Sequence, residues 1–205
     1  MKRNKKTRIL AASDIHGNKK TIEALASQAE KGKVDLIILA GDLTLWDMET
    51  KGLIAPFAKL KKPILIMPGN HDSTELIEFL SEKYPNTKNL HGYSIKINDV
   101  GIFGVGGADF GNTAMNESEF FERLKGAHEH IKDSKKKLMV THMHPYKSKA
   151  EFSGIKGSKG IRKAIKEFKP DLAISGHIHE AEGLEENIYD THIISIGRKG
   201  RIIEI

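Results

Sequence analysis

The sequence predicts an α/β fold, and two patterns carry that expectation. Short, continuously apolar runs read as buried strands and alternate with stretches of helical periodicity. Five of those runs end in Asp, Asn or His, so that polar side chains can gather where the strands stop.

Taken in order, residues 8–13 form the first expected strand, and Asp14-Ile15-His16-Gly17-Asn18 follows it. Ile22, Leu25, Ala26 and Ala29 then keep one face of a helix apolar, with Gly32 as its stop. Residues 36–39 are a second strand, ending in Ala40-Gly41-Asp42. Residues 48–61 read as a helix interrupted by Pro56. Ile64-Leu65-Ile66-Met67 is a third strand, which delivers Pro68-Gly69-Asn70-His71-Asp72. The next helix, residues 73–83, is expected to bury Leu76, Ile77, Phe79 and Leu80.

Further on, the texture changes. Residues 93–97 alternate with period two, Asn98-Asp99 turns, and residues 101–105 return, which is a hairpin pattern. A glycine-rich loop and a helix over residues 117–131 follow. Residues 138–141 form a strand that delivers His142-Met143-His144-Pro145. After a loop over residues 146–157 and a helix over 159–168, residues 171–175 form a strand ending in Gly176-His177-Ile178-His179. Two last strands are expected near residues 191–196 and 201–205. With no repeat, low-complexity linker or boundary signal, the 205 residues read as a single domain, 1–205.

Composition narrows the chemistry. No cysteine is present, so disulfides and thiolate metal sites are excluded, and any metal must be held by oxygen and imidazole nitrogen. Lys+Arg 33 against Asp+Glu 27 gives a net charge of +6, compatible with anionic partners. The basic runs, Lys2-Arg3-Asn4-Lys5-Lys6-Thr7-Arg8 and Lys135-Lys136-Lys137, read as solvated surface. Aromatics make up only 6% of the chain, so a dedicated nucleic-acid binder is not favoured. No stretch reaches the length of a membrane span or a signal sequence, and the protein is expected to be cytoplasmic.

The chemistry-bearing residues are therefore Asp14 and His16, Asp42, Asn70, His71 and Asp72, His142, and His177 and His179. Hard oxygens with imidazoles suit Mn²⁺, Fe, Ni²⁺ or Zn²⁺. They are more ligands than one ion needs, and a carboxylate shared between two ions would accommodate them. The spacing of His142-x-His144 does not by itself decide which histidine ligates. Ser158 and Lys159 open a helix and read as a plain N-cap rather than a phosphate site. His128 and His130 read as solvated, and His91 and His192 as structural.

In that order, Asp14-x-His16, Gly41-Asp42, Gly69-Asn70-His71-Asp72, His142 and Gly176-His177-x-His179 resemble the calcineurin-like metallophosphoesterases, in particular a small, uncapped branch of predicted phosphoesterases. The resemblance implies a four-layer α-β-β-α sandwich with two mixed sheets. It also implies two divalent ions, Mn²⁺ foremost, with Fe, Ni²⁺ or Zn²⁺ as alternatives. Asp14, His16 and His179 would hold one ion, Asn70, His142 and His177 the other, and Asp42 would bridge them. A bridging hydroxide would attack the phosphorus, with His71 over the leaving group and Asp72 orienting the imidazole. His144, where relatives commonly carry proline, is a candidate substrate contact. Ile194-Ser195-Ile196-Gly197 departs from the Asn-Pro-Gly that relatives often have there.

The resulting expectation is a dinuclear phosphoesterase acting on a small phosphate ester, a phosphodiester in preference to a phosphomonoester. A nuclease, or a non-catalytic interaction scaffold on the same fold, are the competing readings.

Overall fold

The computed structural model describes residues 6–205. Lys2, Arg3, Asn4 and Lys5 of the basic N-terminal run lie outside them. The first half of the chain runs β1 Arg8–Ala12, α1 Lys19–Lys31, β2 Leu36–Ala40, α2 Ala55–Ala58, β3 Ile64–Met67, α3 Thr74–Lys83, β4 Thr87–Asn89, β5 Ser94–Ile97 and β6 Val100–Val105. The second half runs α4 Glu117–Glu129, β7 Lys136–Thr141, α5 Lys159–Phe168, β8 Leu172–Ser175, β9 Glu185–Ile188, β10 Thr191–Ser195 and β11 Arg201–Glu204.

The strands form two mixed sheets. One has the order β11-β1-β2-β3-β4, parallel except where β11 meets β1. The other has the order β5-β6-β7-β8-β10-β9, with antiparallel pairs at both edges and parallel pairs between. Alternation along each strand decides which layer a side chain enters. In β1, Leu10 and Ala12 face α1, α2 and α3, whereas Ile9 and Ala11 face the second sheet. In β6, Ile102 points between the sheets while Phe103 and Val105 meet α4 and α5. Three apolar seams thus bind four layers, as expected. None of the described helices is long and apolar enough to cross a membrane.

Helix starts follow local chemistry. Asn18, Ser73, Asn116 and Ser158 each accept a bond from a first-turn amide, and Asn116 and Glu119 close a reciprocal capping box. Such caps each stabilise by about 1 kcal/mol. At α5, Glu117 fills the helix start: its Oε2 accepts from Ser158 Oγ and the Gly160 amide, both at 2.6 Å. The plain-cap reading of Ser158 holds.

Several expectations need correction. The helix expected over residues 48–61 shrinks to Ala55–Ala58, because Pro56 tolerates only a first turn and Glu49 and Gly52 sit at positive φ before it. Phe79 on α3 is exposed and Leu76 only partly buried, since the helix turns just Ile77 and Leu80 fully inward. The loop over residues 146–157 contains a 3₁₀ turn at Lys149–Ser153. Strands β4 and β9 were not expected; both are polar edge strands that the sheet recruits through backbone pairing. His128 is not simply solvated. Its ring stacks on Phe168 at 4.6 Å and meets Phe103 at 5.4 Å.

Candidate metal centre

At one end of the paired sheets, β1, β2, β3, β7 and β8 all stop within reach of one another, and a polar side chain follows each within a few residues. The turns are tight. Asp14, His16, Asp42 and His177 all adopt positive φ, a sparsely allowed conformation for residues with a Cβ. Neighbouring backbone holds them there. The Asp14 amide donates to Gly41 O at 3.0 Å, the His16 amide to Asp42 O at 2.9 Å, and the Gly176 amide to His142 O at 3.0 Å. Two glycines are required by this crowding. Gly41 combines a φ of +90° with a place where a Cβ would collide with the His142 ring, and a Cβ on Gly69 would collide with the Asp42 carboxylate and amide.

The side chains converge as two groups that share Asp42. Asp42 Oδ2 lies 3.5 Å from His142 Nε2, 3.8 Å from His16 Nε2 and 3.9 Å from His71 Nε2. On one side, His16 Nε2 and His179 Nε2 are 3.2 Å apart, and the latter is 3.4 Å from Asp14 Oδ1. On the other, Asn70 Oδ1 is 3.2 Å from His142 Nε2 and 3.0 Å from His177 Nδ1.

Tautomers follow from the backbone. His142 Nδ1 sits 2.9 Å from Ala40 O and His16 Nδ1 sits 3.2 Å from Thr44 O. A carbonyl only accepts, so each Nδ1 carries the proton and the neutral ring turns a lone pair inward from Nε2. The His142 lone pair then faces another acceptor, Asn70 Oδ1. His177 Nε2 is buried without a hydrogen-bond partner, and Asp14 Oδ1, also buried, has only the His179 contact at 3.4 Å. Inward lone pairs, carboxylate oxygens and an amide oxygen crowded around these under-paired buried atoms are the donor set that a divalent cation satisfies. The residues fit such ions.

In metal-free protein a proton on His142 Nε2 takes the place that a cation would hold. Burial alone would raise the Asp42 carboxyl, yet His142 beside it holds it well below the usual carboxylate range. Burial opposes charge on His142, but Asp42 overrides it and pushes the imidazole up to about 9. His177 goes the other way: burial, reinforced by the positive field of His142, lowers it to about 3, leaving the ring neutral with a single lone pair.

All seven expected metal-type residues, Asp14, His16, Asp42, Asn70, His142, His177 and His179, therefore meet in one place. His71 joins them, its ring packed edge-on between Trp46 at 4.4 Å and His16 at 5.1 Å. Asp72 does not do what was expected of it. Its two oxygens accept from the amides of Leu43 at 3.0 Å, Thr44 at 2.8 Å and Gly69 at 3.0 Å, and from Thr44 Oγ1 at 2.7 Å. With both oxygens so occupied it clamps the Asp42 loop to the Asn70 turn instead of orienting His71. His144 lies buried behind the ligand group, its ring stacked on that of His177 at 6.2 Å and its Nε2 3.3 Å from Ile155 O.

Three neighbours escaped the sequence reading. Arg198 Nη2 donates to His179 Nδ1 at 3.0 Å, and among the described residues no carboxylate pairs with it. Its signal was its place just after the stretch that departs from relatives. Trp46 and Phe110 flank the centre, and nothing in their spacing announced it.

Comparison with solved structures yields the same fold. TT1561 of Thermus thermophilus superposes with a TM-score of 0.78 at 20% identity, covering 98% of this chain and 99% of that one. A novel archaeal phosphodiesterase gives 0.56 at 18%, covering 97% and 100%. A dimetal phosphatase from Danio rerio gives 0.65 at 11%, covering 94% and 88%. No curated protein matches the chain. The family model of the calcineurin-like phosphoesterases matches residues 7–181, most of the chain, and the protein belongs to that family.

Proposed function

We propose that the protein is a dinuclear metal-dependent phosphoesterase that hydrolyses small phosphate esters, phosphodiesters in particular. Asp14, His16 and His179 would hold one ion, Asn70, His142 and His177 the second, and Asp42 both. The observation that carries this is the position of Asp42 Oδ2, 3.8 Å from His16 Nε2 in one group and 3.5 Å from His142 Nε2 in the other. Two divalent cations, Mn²⁺ foremost and Fe, Ni²⁺ or Zn²⁺ otherwise, would supply an activated water and neutralise phosphoryl oxygens.

The chain's own residues do the rest. Asn70 contributes a neutral oxygen where a carboxylate would add negative charge, which favours an anionic substrate. His71 presents an imidazole edge beside Asp42, placed to donate to the oxygen that leaves phosphorus. Arg198 brings the guanidinium that can pair with a phosphoryl oxygen from the His179 side. The solved relatives named as a phosphodiesterase and a dimetal phosphatase support the reaction class.

The test is metal content and turnover together. Chelated and reloaded protein should bind two Mn²⁺ and cleave bis-p-nitrophenyl phosphate, and Asp42→Asn should lose dinuclear binding. Two ions retained by Asp42→Asn would overturn the bridging role. Full loading without turnover of any mono- or diester would favour the scaffold instead.

A further inference from the structure

The metal centre is polar, but its rim is not. Leu45, Trp46 and Met48 follow β2, Phe110 follows β6, and Phe152 and Ile155 follow β7; all six are exposed large apolar side chains. Only Phe79, Tyr93 and Tyr189 share that status elsewhere among the described residues, so the exposure is concentrated on loops at the site's end of the sheets.

Two of the six touch the centre itself. Trp46 stands against His71, ring centroids 4.4 Å apart, and is 48% exposed. Phe110 stands 5.8 Å from the ring of His177 and is 49% exposed. Their loops are anchored on the same turn. The Asp47 amide donates to His71 O at 3.3 Å, and the Asn112 amide donates to Asn70 O at 2.7 Å. Asn112 Nδ2 also donates to His71 O at 3.2 Å and reaches Asp47 Oδ2 at 3.5 Å, joining the two loops. Two half-exposed rings are thus held by fixed backbone bonds beside the reacting centre, each with one part of its surface on a histidine and the remainder open.

We propose that Trp46 and Phe110 form a clamp for a flat aromatic substituent of the substrate, an aryl ring or a nucleobase carried on the phosphoryl group. This rests on the phosphoesterase reading above and names its substrate class. The charge distribution sets the direction. Arg198 stands at His179, a ligand of the first metal group, whereas Trp46 and Phe110 stand at His71 and His177, so phosphoryl oxygens and aromatic substituent have separate places. A planar ring gains stacking contacts on such surfaces that a methyl or short alkyl group does not make.

Trp46 is the only tryptophan in the chain, so its emission reports the clamp directly. Zn²⁺-loaded protein should be titrated with phenylphosphonate and with methylphosphonate, by calorimetry and by tryptophan fluorescence. Phenylphosphonate should bind about tenfold more tightly and shift the Trp46 emission. Phe110→Leu should narrow the preference to within about twofold, and Phe110→Tyr, which keeps the ring, should retain it. Equal binding of both phosphonates with a silent Trp46 would overturn the clamp while leaving the phosphoesterase reading in place. Binding of neither would overturn both.

Discussion

Oδ2 of Asp42 lies 3.5 Å from Nε2 of His142, and both side chains are buried. Each holds the other charged: Asp42 well below its ordinary range, His142 up to about 9 from 6.5. For metal-free protein the signs are fixed by linkage. The raised His142 contributes stability that is complete below 6.5 and lost as pH rises through about 9. The depressed Asp42 contributes stability present above 3.8 and lost as pH falls towards its lowered value. Chelated protein should therefore melt several degrees lower at pH 9 than at pH 6.5, and bound metal should flatten that difference. An unchanged melting temperature across this interval would show that the pair does not form.

Asp72 predicts a stability effect rather than a chemical one. Its oxygens receive three amides and one hydroxyl across the Asp42 and Asn70 loops. Asp72→Asn would turn an NH₂ towards donors and should cost about 1–3 kcal/mol. Urea melts measure this. Full stability with selective loss of activity on poor leaving groups would restore the orienting role first expected of it.

Two glycines should respond in opposite directions to alanine. At Gly69 the new Cβ would strike the Asp42 carboxylate and amide, so Gly69→Ala should destabilise by about 1–3 kcal/mol and weaken metal binding. Gly126, inside α4, has nothing within 4 Å of a new Cβ, and Gly126→Ala should stabilise by about 0.5–1 kcal/mol. Melting both variants beside the wild type settles it, and a tolerant Gly69 would mean that the turn is looser than described.

His71 should show its role in a leaving-group series. Its ring faces Asp42 at 3.9 Å, and the position suits proton donation to the departing oxygen. His71→Ala should keep both metals and lose about 10²–10⁴-fold in kcat on alkyl esters, with a smaller loss on nitrophenyl esters. An equal loss across the series would make His71 a phosphate-binding group, and a lost ion would make it a ligand.

Arg198 donates to His179 Nδ1, which puts the proton of a neutral ring on Nε2, the nitrogen that faces Asp14 and His16. Holding a cation through Nε2 requires the opposite tautomer, so the exposed guanidinium must turn away. Arg198→Ala should bind the first ion about 2–5-fold more tightly, the scale of an exposed charge interaction. It should also raise KM for phosphate esters about tenfold. Unaltered metal affinity and KM together would reduce Arg198 to a surface residue.

The sequence by itself determined most of the order of elements and nearly all of the candidate metal centre. Apolar runs such as Ile64-Leu65-Ile66-Met67 read as buried strands, and whatever follows a parallel strand arrives at the same end of the sheet. That is why the sequence alone brings Asp14, Asp42, Asn70, His142 and His177 together. What only the tertiary structure decided depends on partners distant in the chain. Asp72 is adjacent to His71 in sequence, yet its oxygens are captured by Leu43 and Thr44 from another loop. Trp46 sits in a stretch without periodicity after Asp42, and its exposure depends on loops pinned to Asn70 and His71. Arg198 reaches His179 from the turn between β10 and β11. Periodicity reports which side of its own element a residue takes, whereas these contacts are set by how separate loops pack above the sheets, which local patterning does not encode.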